Sequence, residues 1–168
     1  DAFNGLTVTF ELYIASTSVY ASGAAAVGGI AFTVSAVNDI SGHGTSDINA
    51  IIADDSAGVG GYKIFLERGP GTASDVYSCS ADTIYYCLLE RTAGSDTVTL
   101  KIYSDSARTT LLDTLTVSGY GTSTKWRYAY GFVNWNVGAS YPGVQFDGYT
   151  QNLNISASIG STSPSVTT

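Results

Sequence analysis

Few residues in this 168-residue chain have side chains suited to acid, base or nucleophilic chemistry, and they are scattered. A glycosidase needs two carboxyl groups about 5 to 9.5 Å apart across the sugar, but the three glutamates, Glu11, Glu67 and Glu90, fall in three separate apolar segments. Glu67 and Glu90 each precede an arginine, which favours an outward-facing, screened charge. The single histidine, His43, lies in the Gly-rich loop SGHGTSD. The sequence therefore assigns no catalytic residue.

Acidic residues at the ends of apolar segments are candidates for a structural calcium site, because calcium prefers several carboxylate and carbonyl oxygens. The candidates are Asp54, Asp55 and Asp147. The alternative is that these carboxylates cap turns through hydrogen bonds. Two cysteines with one histidine do not make a zinc site, so calcium is the one metal considered and no cofactor is required.

Aromatic and amide side chains near predicted loops are the candidate ligand-binding residues, because such rings offer stacking area together with a hydrogen bond. The candidates are Tyr120, Asn134, Trp135, Asn136 and Tyr141. The alternative is that the rings pack over the open end of the fold and take no part in binding.

The stretch KWRYAYGFVNWN, residues 125–136, raises the same choice between binding and packing. Successive side chains of a strand point to opposite faces. One face then consists of Trp126, Tyr128, Tyr130 and Phe132. Such a face buries a large apolar area, so we expect it to fill the core, with Lys125 and Arg127 directed outward.

The two cysteines, Cys79 and Cys87, flank a polar SADT turn between strand-forming residues. A hairpin about that turn places them opposite each other, so we expect a disulfide and an oxidising, extracellular setting. The alternative is a pair of buried free thiols.

The composition excludes several classes of partner. Charged residues make up only 12% of the chain, against about 25% in typical globular domains, so the polar surface must consist of hydroxyl and amide groups. The net charge of -7 disfavours nucleic acid and anionic membranes, and no apolar run is long enough to insert in a membrane. Because the chain begins at Asp1, we expect a processed N-terminus or the start of a fragment.

Alternation of apolar and polar residues dominates the chain and predicts ten strands without intervening helices. The clearest is GLTVTFELYI, which places Leu6, Val8, Phe10, Leu12 and Ile14 on one face. The other predicted strands are residues 29–37, 47–54, 61–67, 74–80, 84–91, 96–104, 111–118, 125–135 and 144–156. Gly-rich and Ser-rich loops separate them, which indicates a two-sheet antiparallel β-sandwich over residues 1–159. Residues 160–168 form a Ser/Thr-rich tail that, if ordered, needs a neighbour to lie on.

The segment from Thr83 to Ser156 carries three recurring strand patterns: TIYYCLLER, VTLKIYSDSARTT and GYTQNLNIS. In this order they resemble the concanavalin A-like, laminin G-like jelly rolls of phage and bacterial surface proteins. The resemblance covers under half of the chain and implies two curved antiparallel sheets, with the first and last strands adjacent. Many members bind glycans or protein surfaces, and some hold calcium at the rim.

A minority of that family are glycoside hydrolases or polysaccharide lyases. The hydrolases usually carry E-x-D-x-x-E on a concave strand, and this string is absent from the sequence. The lyases need a histidine and a tyrosine beside arginine or glutamine on the concave strands, whereas His43 lies in a predicted loop. We therefore expect no enzyme activity.

The expected function is a non-catalytic display or decoration protein of a virion, filament or cell surface that also binds glycans or host surfaces. Its expected partners are other copies of itself, other surface or virion proteins, and glycans, and its expected location is extracellular or on a virion. The alternatives are a lectin-like module of an extracellular protein and a glycoside hydrolase or polysaccharide lyase.

Overall fold

The computed structural model describes residues 2–18, 26–37, 43–54, 61–69, 73–131, 135–136 and 145–158. Within these ranges, residues 16–18, 26–27, 54, 73, 135–136 and 145–146 are described by their backbone alone. The described residues form eleven strands: β1 Gly5–Ser18, β2 Ala26–Thr33, β3 Ile48–Asp54, β4 Tyr62–Arg68, β5 Ala73–Cys79, β6 Thr83–Arg91, β7 Val98–Tyr103, β8 Leu111–Val117, β9 Tyr128–Tyr130, β10 Trp135–Asn136 and β11 Gln145–Ser158. In the part of the chain so described, no helix is long and apolar enough to cross a membrane.

The strands form two antiparallel sheets. The five-stranded sheet has the order β11-β1-β6-β7-β8, and the six-stranded sheet has the order β10-β2-β3-β4-β5 with β9 also paired to β2. The first and last strands lie side by side, from the pair Gly5 and Ser158 to the pair Ser18 and Gln145. The fold is an all-β sandwich, a concanavalin A-like jelly roll, as the sequence predicts.

The alternation in sequence determines which side chains fill the space between the sheets. On β1 the five apolar residues predicted to share a face are all buried, while their neighbours Thr7 and Thr9 are not. Strands β6 and β7 alternate in the same way, since adjacent strand residues face opposite sides of a sheet. A second, smaller apolar cluster of Ile51, Ala53 and Phe65 lies on the other face of the six-stranded sheet.

The segment 125–136 is not one continuous strand. Trp126 is fully buried in the core, as predicted, and its backbone bridges to Phe3. The chain then changes partner, and Tyr128 and Tyr130 pair with Thr33 and Ala31 of β2. Because the change of partner interrupts the alternation, Tyr128 is 41% exposed and Tyr130 is half-buried outside the core, contrary to prediction.

The prediction for the two cations of this segment is confirmed, and the remaining aromatic residue cannot be compared. Lys125 and Arg127 are exposed, as expected. Phe132 and the tail of residues 160–168 lie outside the described residues.

The prediction of a disulfide is wrong, because Cys79 and Cys87 are free thiols. The turn between them does not make a flat hairpin: β5 belongs to one sheet and β6 to the other, so the chain crosses the sandwich there. Both side chains point toward the core. Burial raises the pKa of the Cys79 thiol to about 12 and raises the pKa of the Cys87 thiol as well. The alternative of two free thiols is confirmed, with Cys87 buried and Cys79 half-buried.

Candidate functional site

The outer face of the six-stranded sheet, directed away from the core, carries a row of residues in register across five strands. Directly opposite residues of antiparallel strands have their side chains on the same face. Ala31 of β2 pairs with Tyr130 of β9 on one side and with Asn49 of β3 on the other. Asn49 pairs with Glu67 of β4, which pairs with Ser74 of β5. We call these five residues the transverse row.

Small residues of β2 occupy the middle of this row and the position next to it. Ala31 has a single methyl group and is completely buried. Gly29, two residues before it, has no room for a side chain, because a Cβ there would lie 2.2 Å from the carbonyl oxygen of Ala50. Both positions on β2 therefore require a small residue.

His43 provides a buried side chain next to this part of the row. It is 8% exposed, and its Nδ1 lies 2.6 Å from Oδ1 of the buried Asn49. Its ring centroid lies 6.3 Å from that of Tyr130. An amide oxygen only accepts hydrogen bonds, so Nδ1 donates and the lone pair of the imidazole is at Nε2. This tautomer gives His43 a basic nitrogen.

Asn49 has one further polar group to satisfy. Its Nδ2 is buried and has no hydrogen-bond partner among the residues that the structure describes. A buried donor without an acceptor costs about 1 to 3 kcal/mol. Such a donor beside a histidine can bind an oxygen of a ligand once the side chains that cover it move.

Tyr130 is fixed by the segment after β2. Its hydroxyl donates to the carbonyl oxygen of Val37 at 3.1 Å and accepts from the Val37 N–H at 2.9 Å. Both ends of the tyrosine are therefore positioned: the backbone by Ala31 and the hydroxyl by Val37.

The loop of residues 43–47 that carries His43 is held by the buried carboxylate of Asp47. Its two oxygens accept from the N–H of Val34 at 2.8 Å and from the N–H of Gly44 at 2.7 Å. The Asp47 carbonyl oxygen accepts from the N–H of Gly69 at 2.8 Å. This loop and the end of β2 border a cavity of about 300 Å³, with Ser35, Thr45 and Ser46 among its lining residues.

Glu67 supplies the carboxylate of the transverse row. Its environment is not the outward-facing, screened one that the sequence predicts. Glu67 is half-buried, and desolvation raises its pKa above the ordinary value. The following residue, Arg68, belongs to the opposite face and donates to the carbonyl oxygen of Gly119, so it does not screen Glu67 as expected. Glu90, by contrast, pairs with Lys101 at 2.8 Å, a different cation from the arginine that follows it in sequence.

A contact residue must have its side chain on the surface, and Tyr120, one of the predicted contact residues, does not. It is 1% exposed, packs edge-on against Trp126 with centroids 5.9 Å apart, and donates its hydroxyl to the carbonyl oxygen of Glu67 at 3.1 Å. Both its ring and its hydroxyl are used inside the protein, which agrees with the alternative of packing.

The remaining predicted ligand-binding residues are placed only in part. Trp135 pairs with Val27 of β2, and Asn136 pairs with Ala26, so both lie along the strand that carries Ala31. Asn134 and Tyr141 lie outside the described residues. A role in ligand binding stays a prediction for all four residues.

The predicted calcium ligands do not form a cluster in the described part of the chain. Asp54 ends β3, Asp147 is exposed on β11, and Asp55 is outside the described residues. Among the described residues, no three His, Cys, Asp or Glu side chains lie close enough together to hold a metal ion. A calcium site at these positions stays a prediction.

Sequence reasoning missed the grouping of His43, Asn49, Glu67 and Tyr130. The partners are separated by up to 87 residues in sequence. Strand register brings Asn49, Glu67 and Tyr130 into one row, and a loop adds His43. A weak signal exists: Asn49 is a polar residue within the otherwise apolar strand INAIIAD, at an alternate position that faces away from the core.

The chain matches no protein-family model and no curated protein in sequence. Its fold is similar to that of the marine PL7 alginate lyase AlyA1 from Zobellia galactanivorans, with a TM-score of 0.53 and 14% identity over 94% of this chain and 65% of the lyase. It is also similar to the enzymatically active domain of tailspike protein 2 from bacteriophage CBA120, with a TM-score of 0.50 and 13% identity over 92% of this chain. The chain spans 22% of that tailspike chain.

These comparisons contradict the prediction of a non-catalytic display or decoration protein and the expectation that the chain is not an enzyme. One neighbour is a lyase and the other is described as an enzymatically active domain. The composition could not make this distinction, because the same sandwich hosts both binding proteins and enzymes. The comparisons favour the alternative of a glycoside hydrolase or polysaccharide lyase.

Proposed function

We propose that this protein degrades a polysaccharide by β-elimination at the transverse row. The observation that carries the proposal is the buried hydrogen bond between His43 and Asn49, with Tyr130 beside it. The resemblance to lyases requires a histidine and a tyrosine beside arginine or glutamine on the concave strands; here the amide of Asn49 takes the place of the glutamine, and His43 comes from a loop. The likeness of fold to an alginate lyase supports the same reading.

In the proposed reaction His43 acts as the base and Tyr130 as the acid. Nε2 of His43 removes the proton from C5 of a uronate unit, the electron pair forms the C4–C5 double bond, and the C4–O4 bond breaks. The leaving O4 receives the hydroxyl proton of Tyr130, which in the free protein is donated to Val37. No water is consumed, and one product carries an unsaturated uronate.

Asn49 has two roles in this proposal. Its Oδ1 holds the tautomer of His43, and its unpaired Nδ2 donates to the uronate carboxylate, where negative charge develops when the C5 proton leaves. Asn49 is fully buried in the free protein, so the carboxylate reaches this donor only after neighbouring side chains move. A donor that binds the developing charge stabilises the transition state.

Glu67 favours a second candidate, glycoside hydrolysis. A half-buried carboxyl group with a raised pKa resembles the general acid of glycosidases. Hydrolysis needs a second carboxylate, and Glu67 is the one carboxylate of the transverse row. The described residues therefore support β-elimination better.

The test is to incubate the protein with a panel of acidic polysaccharides and to follow the ultraviolet absorbance of the unsaturated product together with new reducing ends. Both signals should rise together, and His43→Ala and Tyr130→Phe should each lower kcat about 10²-fold or more. Tyr103→Phe, on the five-stranded sheet, is the matched control and should retain the activity.

Other outcomes would point to the other candidates. Reducing ends without the absorbance would indicate hydrolysis. Glycan binding without either signal would indicate a lectin-like module, and the proposal of an enzyme would then be wrong.

An origin in a phage or bacterial surface protein, and an extracellular or virion location, remain part of this proposal. The low content of charged residues supports them, together with the likeness of fold to a phage tailspike domain.

A further inference from the structure

The charges around the transverse row restrict the class of polysaccharide. All seven Lys and Arg residues of the chain fall in the described ranges, and none of them is in the row. Arg68, Arg91 and Arg108 donate to backbone carbonyl oxygens, and Lys101 pairs with Glu90. The side chains of these four residues therefore make hydrogen bonds or ion pairs within the protein.

The three other cations lie away from the row. Lys63 precedes Glu67 by four residues on β4, which is about 13 Å along a strand. Lys125 and Arg127 are exposed in the segment before β9, and the nearer of them, Arg127, precedes Tyr130 by three residues, which is about 10 Å along a strand. The row itself contains one charged side chain, Glu67, directly opposite Asn49.

We infer that the site takes a polysaccharide whose carboxylates are sparse, with neutral sugar units between the uronates, and that Glu67 is the residue that determines this specificity. The inference rests on the proposed function. A homopolymeric uronate carries a carboxylate on every unit, so at least one would face Glu67 next to the unit held by Asn49. A neutral unit instead offers hydroxyl groups, which can donate to Glu67.

The net charge of -7 acts in the same direction at long range. A polyanion is repelled by a protein of like charge, and salt screens this repulsion. Affinity for a homopolymeric uronate should therefore rise with salt. A site lined by cations would show the opposite dependence.

The experiment compares two probes: a homopolymeric oligouronate, and an oligosaccharide of equal length in which uronate alternates with a neutral hexose. Values of kcat/KM and equilibrium binding are measured at low and high salt for the unsubstituted protein, Glu67→Gln and Glu90→Gln. The two variants change the net charge equally, but Glu90 lies on the other sheet. They therefore separate the local effect from the long-range effect.

We expect the unsubstituted protein to prefer the alternating probe at least tenfold. Glu67→Gln should lower this preference at least threefold by raising kcat/KM and affinity for the homopolymer, whereas Glu90→Gln should leave the preference unchanged. Equal use of both probes, an equal effect of the two variants, or binding of neither probe would overturn the inference. If neither probe is cleaved but the binding preference holds, the proposed enzyme activity is wrong and the specificity assignment stands.

Discussion

At the residue scale, a half-buried carboxylate such as Glu67 lowers the stability of the folded state at neutral pH. Its pKa is raised by desolvation, so the folded protein binds this proton more tightly than the unfolded chain does. The free energy of unfolding therefore falls as the pH rises through the range just above the ordinary glutamate pKa of 4.5.

Replacing Glu67 by Gln should remove this pH-dependent loss. We expect Tm at pH 7 to rise by roughly a few degrees, because Glu67 is partly exposed and solvent screens the effect. Below pH 4 the variant and the unsubstituted protein should have the same Tm. Thermal unfolding followed by circular dichroism at both pH values provides the check, and a variant less stable at pH 7 would show that the carboxylate makes favourable contacts.

Single residues were the hardest level to predict. The sequence shows that Tyr120 is next to glycines, which suggests a loop, but it does not show that its hydroxyl reaches the carbonyl of Glu67 across the molecule. The sequence likewise shows that Arg68 follows Glu67 and does not show that Arg68 reaches Gly119. Partners distant in sequence decide the environment of each side chain.

At the scale of elements, the loop of residues 43–47 depends on a close approach at the end of β4. Gly69 has φ +57, and a Cβ there would lie 2.5 Å from the carbonyl oxygen of Gly44. Both the left-handed conformation and the lack of space favour glycine. The loop that carries His43 therefore lies directly against this glycine.

We expect Gly69→Ala to destabilise the protein by about 1 to 3 kcal/mol and to lower polysaccharide cleavage by displacing His43. Gly94→Ala is the matched control, because Gly94 also has a positive φ, of +78, but a Cβ there meets nothing within 4 Å. Urea unfolding and kcat measurements of both variants give the comparison. Equal loss of activity in the two variants would contradict a role for the loop.

Strands were predicted well because alternation is a local property. β1, β6 and β11 agree with their predicted segments apart from a few terminal residues. The exception is the aromatic segment, where β9 and β10 replace one long strand. The residue types alternate regularly in the sequence there, but the pairing partner changes and the side chains switch face. No local pattern in the sequence reports a change of partner.

At the scale of the whole molecule, the first and last strands of the chain pair side by side in one sheet. β1 lies between β11 and β6, and its apolar residues, from Leu6 to Ile14, are at the centre of the core. Without β11, one side of β1 becomes a free edge with unpaired backbone groups.

Deleting residues 145–168 should therefore remove most of the net stability, which is about 5–15 kcal/mol for a typical domain, and abolish cooperative unfolding. The control is deletion of residues 160–168 alone, which leaves every described strand intact. Near-ultraviolet circular dichroism and urea titration of the two truncated proteins provide the test. A cooperative transition in the longer deletion would show that β11 is dispensable.

The fold class was predictable at this scale, whereas the function was not. Ten alternating segments separated by turn residues define a β-sandwich, and the strand patterns from Thr83 to Ser156 identify its type. The candidate site depends on register among β9, β2, β3 and β4. Since register is a long-range property, a search of the sequence for a carboxylate pair or a histidine motif could not find it.

The small residues of β2 affect the candidate site through packing, although they make no contact with a substrate in the proposed reaction. Gly29 cannot carry a side chain, because a Cβ there would lie 2.2 Å from the carbonyl oxygen of Ala50, and the methyl group of Ala31 is completely buried. A larger residue at either position would have to displace its neighbours on the strand next to Asn49, even if His43, Asn49 and Tyr130 were all retained. The proposed activity could therefore be lost through changes at residues that take no part in the chemistry.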